Sequence, residues 1–90
     1  MMNELEKAVA TALRLNSKAS ELLLPEIKRN IATARAELIR SGCTNDLINS
    51  NVELVEDCII CWCLSAMGEE DSRAWYLERF KYQQDNLRKS

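Results

Sequence analysis

Val52-Glu53-Leu54-Val55-Glu56-Asp57-Cys58-Ile59-Ile60-Cys61-Trp62-Cys63-Leu64-Ser65-Ala66-Met67-Gly68 is the stretch that decides the fold. Val52, Val55, Ile59, Trp62 and Ala66 recur at helical spacing, and Leu54, Cys58, Cys61 and Leu64 widen the apolar arc. Polar residues occupy only Glu53, Glu56, Asp57 and Ser65. A helix this apolar on most sides is central to its fold or is covered by a neighbouring subunit. Ser50 or Asn51 caps its start and Gly68 closes its end, so the pattern predicts a helix over 52–67.

On the C-terminal side, Glu69-Glu70-Asp71-Ser72 opens a further helix, expected over 72–88. Acids at a helix start and Arg88-Lys89 at its end both complement the helix dipole. Tyr76, Phe80, Gln83 and Leu87 mark its inward stripe, with Trp75, Leu77 and Tyr82 outside it. On the N-terminal side, residues 43–50 read as a polar connection holding one apolar pair, Leu47-Ile48. Before it, Ile27, Ile31, Ala34 and Leu38 follow the i, i+4, i+7, i+11 spacing of a core-facing seam, and Arg40 and Gly42 end that helix. A proline sits best at the first helical position, so Pro25 places the start near Leu24 and the helix over 24–41. The first helix is expected over 4–15, with Asn3 as its N-cap and Leu5, Ala8, Val9, Ala12 and Leu13 as its stripe. Nowhere does a sustained period-2 pattern appear. The expectation is all-α: a small bundle of four helices with short connections, one domain over 1–90.

The composition supports this and narrows the function. Ninety residues allow a single core of modest stability. Hydrophobic residues are 47% and charged residues 29%, which is globular rather than disordered composition. No apolar run reaches the ~20 residues of a membrane span. The opening Met1-Met2-Asn3-Glu4-Leu5-Glu6-Lys7 leads into no signal-peptide core, so a soluble, intracellular chain is expected. Twelve basic residues against 14 acidic ones leave a charge of -2, and the bases are scattered. A DNA-binding helix-turn-helix would need Lys28, Arg29, Arg35 and Arg40 to face one groove from a chain of pI about 5.1. Sequence-specific DNA binding is therefore not expected.

The chain holds four cysteines, Cys43, Cys58, Cys61 and Cys63. Cys58 and Cys61 form a CxxC, and Cys43 and Cys63 could add thiolates for zinc. At about 100° per residue, Cys58 and Cys61 lie about 60° apart on a helix, whereas Cys63 points about 140–160° from both. One ion cannot collect all three unless the helix breaks. The surrounding Ile59, Ile60 and Trp62 mark a core segment, where a free cysteine acts as a small apolar residue. Reduced, buried thiols are expected, with no metal and no cofactor.

Catalytic chemistry is also missing. Without histidine, Ser–His and Cys–His pairs are excluded, and only Ser–Lys pairs stay open. Both glycines are isolated helix terminators rather than a phosphate loop. The acids Glu53, Glu56 and Asp57, like Glu69, Glu70 and Asp71, stand at helix starts, where capping and dipole effects account for them. The expectation is a chain that is not an enzyme and has no catalytic residues.

Three segments go further than composition. Leu5 to Leu15 reads Leu-Glu-Lys-Ala-Val-Ala-Thr-Ala-Leu-Arg-Leu; Leu23 to Gly42 carries Ile27, Ala32, Ala34 and Leu38 and ends Ile39-Arg40-Ser41-Gly42. Trp62-Cys63-Leu64-Ser65-Ala66-Met67-Gly68 is followed by acids and by Tyr76, Phe80 and Leu87. In this order they resemble the small head–tail connector (adaptor) proteins of tailed bacteriophages and prophages, also labelled DNA-packaging proteins. The chain departs from that pattern at Ser17–Pro25, which lacks the usual acidic run, and at Leu64, where Lys is common.

The resemblance implies a structural role at the virion neck, reached by assembly in the host bacterial cytoplasm. Such subunits form a homo-oligomeric ring of about a dozen copies through heterologous contacts that close. The ring lies under the portal protein, extends the DNA channel and docks a tail-completion protein. DNA passes through without sequence-specific binding, and no membrane is involved. Trp75 and Tyr82, with Leu5 and Val9 of the first helix, are the candidate interface residues. The alternative is a small helical adaptor or regulatory module that binds one protein partner, a helix seated in a groove between its own helices.

Overall fold

The computed structural model describes residues 2–89. The described chain is all-α, with five helices: α1 (Glu4–Ala12), α2 (Ser17–Arg40), α3 (Asn45–Ser50), α4 (Val52–Met67) and α5 (Glu70–Arg88). The four longer ones form the expected bundle.

Helix α1 begins at Asn3, as expected, through a reciprocal capping box. The Glu6 N–H donates to Asn3 Oδ1 at 2.8 Å, and the Asn3 N–H donates to Glu6 Oε1 at 2.9 Å. The helix ends three residues before the expected Leu15. Arg14 turns into the left-handed region (φ 59°), and the Leu15 N–H reaches back to the Ala10 carbonyl at 3.0 Å. This is the Schellman closure usually made by glycine. The end of α2 repeats it with Gly42 (φ 108°) and a bond from the Cys43 N–H to the Leu38 carbonyl at 3.0 Å.

Helix α2 starts at Ser17 rather than near Leu24, so the expected 24–41 needs correction. Asn16 is its N-cap, accepting from the Ala19 N–H at 2.8 Å, and Pro25 lies inside the helix. Proline there removes the donor that the Glu21 carbonyl would use. Glu21 and Pro25 are both exposed, where solvent can replace the lost donor. The seam stands as read: Ile27, Ile31, Ala34 and Leu38 are all buried.

The connection at 43–50 is the second correction, because it holds the short helix α3. Thr44 caps it, its Oγ1 accepting from the Leu47 N–H at 3.2 Å. Asn51 stands at the start of α4 without a side-chain cap bond, its Nδ2 donating instead to the Leu47 carbonyl at 2.8 Å. Helix α5 begins at Glu70, two residues earlier than expected.

Helix α4 is the centre of the bundle, packing against α1, α2, α3 and most extensively α5. It buries Val55, Cys58, Ile59, Cys61 and Cys63. Val52 and Ala66, at the two ends of its predicted stripe, are exposed. Against it α5 places Phe80, Gln83 and Leu87, buried, and Tyr76, half-buried. Trp62 and Phe80 meet edge to face, ring centres 5.0 Å apart and planes at 64°. The result is a slab of 39 × 30 × 18 Å with α2 and α5 along its flanks.

Candidate subunit interface

Helix α5 turns its apolar stripe to α4 and leaves two large aromatics in solvent, Trp75 at 60% and Tyr82 at 64% exposure. They stand seven residues apart, two turns along the same side. Trp75 is oriented by its neighbours. Its ring meets half-buried Tyr76 at 4.9 Å and 87°, and the Arg79 guanidinium lies 5.8 Å from its centre. Trp, Tyr and Arg together are the composition found where interfaces concentrate their binding energy.

Helix α2 carries a second such face. Leu22 and Ile39 are 72% and 54% exposed, with Ala32 and Ala36 exposed between them. Leu22 lies before the helix start that Pro25 suggests, so the pattern does not mark it; the signal for Ile39 is its place off the Ile27–Leu38 seam.

Leu5 and Val9 are a correction. Both are buried within the chain, Val9 at 1% exposure, where α1 packs against α2 and α4. They cannot meet a neighbouring subunit without unpacking α1.

Between α2 and α5, above α4, runs a groove of about 420 Å³. Trp62, Leu77 and Phe80 form its apolar floor, and Glu37, Arg40, Lys81, Gln84 and Asp85 its rim. Arg40 and Glu37 pair on the rim, and the Arg40 hydrogen bond holds the Glu37 carboxyl below its ordinary value. The Trp62 indole N–H is buried without a hydrogen-bond partner among the described residues. A second hollow of about 440 Å³, lined by Arg14, Leu15, Leu23, Met67, Glu69 and Tyr76, lies under the α1–α2 turn.

The four thiols are free and buried. Burial, helped by Cys61, Cys43 and Asp57, pushes the Cys58 thiol up to about 12. Burial alone lifts Cys63 to about 12, in line with its pointing away from the others. Cys61 is also raised by burial, with Arg79 opposing the shift. Thiols held protonated in this way are poor nucleophiles. Among the described residues no three acidic or cysteine side chains converge as a metal site, and no helix is long and apolar enough to cross a membrane.

Compared with family models, curated proteins and solved structures, the chain matches none.

Proposed function

We propose that this chain is a structural subunit of a head–tail connector of a tailed bacteriophage or prophage. Identical copies close into a ring of about a dozen beneath the portal protein. The ring continues the DNA channel and docks a tail-completion protein, without turnover and without a cofactor. One observation carries the reading: besides Val52 at the start of α4, the slab keeps pairs of large apolar side chains in solvent on two different helices, Leu22 and Ile39 on α2, Trp75 and Tyr82 on α5. A ring subunit needs two such unlike faces, because each copy meets one neighbour with each. The three sequence segments that resemble the connector family lie on α1, α2 and α4–α5, the elements that build this slab. A net charge of -2 suits a channel wall that lets DNA slide, since few phosphates would be neutralised and held.

The test is light scattering with negative-stain imaging of the purified chain across a wide concentration range, alone and mixed with a portal ring. Rings, free or seated on the portal, are the expected result. A monomer that ignores the portal overturns the reading.

The groove above α4 favours a second reading, a module that seats one partner helix. Its apolar floor and unpartnered Trp62 N–H suit an amphipathic helix with a polar group at its centre. That reading expects a stable monomer that takes up one partner, with binding lost in Trp62→Ala.

A further inference from the structure

The two exposed faces share a spacing that neither helix needs for its own packing. On α2, Ala32 is flanked four residues before and three after by Lys28 and Arg35. On α5, Trp75 is flanked at the same distances by Asp71 and Glu78. All six side chains are exposed. The patterns are alike in position and opposite in sign.

None of the four charges is used within the chain. Among the described residues the ion pairs are Lys7–Glu4, Arg40–Glu37 and Arg88–Asp85, and none involves Lys28, Arg35, Asp71 or Glu78. The faces also point apart. The groove between the helices takes Glu37 and Arg40 from α2 and Leu77, Phe80, Lys81, Gln84 and Asp85 from α5. Lys28 and Arg35, like Trp75, lie on the far side of their helices from it, while Glu78 stands at its edge, on the side of Asp85.

We infer that these faces bind one another between copies: α2 of one subunit packs antiparallel against α5 of the next. The inference rests on the ring reading and specifies the contact within it. In antiparallel packing, corresponding flanks of two helices face each other. One register then pairs all four charges. Lys28 meets Glu78 of the neighbouring copy, and Arg35 meets its Asp71. Trp75 of that copy lies over Ala32, whose small side chain lets the helices approach. The contact is heterologous, so each copy keeps one face of each kind for its two neighbours.

Zero-length carbodiimide cross-linking of the full chain under reducing conditions tests this contact. Equal parts of isotopically light and heavy protein are mixed first, so that mass spectrometry separates links between chains from links within one. A Lys28–Glu78 link between chains is expected. The variants K28E/R35E and D71K/E78K should each lose association about tenfold, because both ion pairs become like-charge contacts. Mixing the two variants should restore it, since each then offers the face that the other lacks. Exposed substitutions leave the core intact, which an unchanged thermal midpoint verifies. Absence of the 28–78 link between chains, or failure of the mixture to associate, overturns the pairing. Rings that form without that link overturn the pairing and leave the ring reading standing. Linked chains that never close into rings support the pairing and overturn the ring.

Discussion

Arg88 of α5 donates from Nη1 to the Ser41 carbonyl at the end of α2, 3.2 Å away. The last carbonyls of a helix lack partners within it, and a cation there is favoured by the dipole. One turn earlier on α5, Gln84 donates at 3.4 Å to the Glu37 carbonyl, which also accepts from the Ser41 N–H at 3.0 Å. The end of one helix is therefore capped by side chains of another, 47 residues away in the chain. Asp85 steadies the Arg88 guanidinium from the side at 2.5 Å. Replacing Arg88 with Ala should lower stability by about 1 kcal/mol, the usual net worth of one such bond, measured by urea denaturation. Arg88→Lys, which keeps the charge but not the fork, should recover only part of it.

Pro25 is expected to be a weak point of α2. A proline in a helix interior is about 3 kcal/mol less favourable than alanine. Pro25→Ala should give the Glu21 carbonyl its donor back and raise the midpoint of thermal unfolding, by up to about 3 kcal/mol in stability. An unchanged or lower midpoint would mean that the proline is compensated within the fold.

Gly68 should tolerate substitution less well than Gly42, for a different reason. A Cβ at Gly68 would stand 2.4 Å from the Leu64 carbonyl oxygen, so backbone must shift. At Gly42 there is room, the nearest atom being the Arg88 side chain at 3.8 Å, and the difficulty is the φ of 108°. Gly42→Ala should cost about 1 kcal/mol and Gly68→Ala about 1–3 kcal/mol, both read from denaturant midpoints.

Alkaline pH should destabilise the chain through its thiols. An unfolded cysteine titrates near about 8.5, whereas folding holds Cys58 and Cys63 protonated up to about 12. Between those values the folded state binds more protons than the unfolded state, so stability falls as pH rises. Below about pH 8 both states are protonated and the thiols contribute no slope. Denaturant midpoints across pH 7 to 11 measure this, and Cys63→Ala should flatten the decline. At pH 8 a thiol reagent should label the native protein slowly and all four cysteines once it is unfolded.

Periodicity found the inward faces because burial imposes the spacing directly. Ile27, Ile31, Ala34 and Leu38 were legible, as were Phe80, Gln83 and Leu87. Termini were legible where a residue with one strong preference marks them, as Asn3 and Gly42 do. They were missed where an atypical residue does the work: Arg14 takes a left-handed turn, and Pro25 sits inside a helix it would ordinarily begin. The exposed aromatics stood out because they lie off the α5 stripe. Leu5 and Val9 could not be sorted from sequence, since the same spacing serves packing inside a chain and packing between chains.

The central position of α4 has a consequence for how the chain is made. Helices α1 and α2 leave the ribosome first, yet the surface that α2 covers belongs mainly to α4, and α4 in turn is closed by α5. Until α5 has emerged, α4 lacks its most extensive contact, and the Ile27–Leu38 seam packs on an unfinished partner. The bundle is therefore expected to close only once α5 is available, and a chain cut before α5 should be less stable and more readily cleaved by proteases.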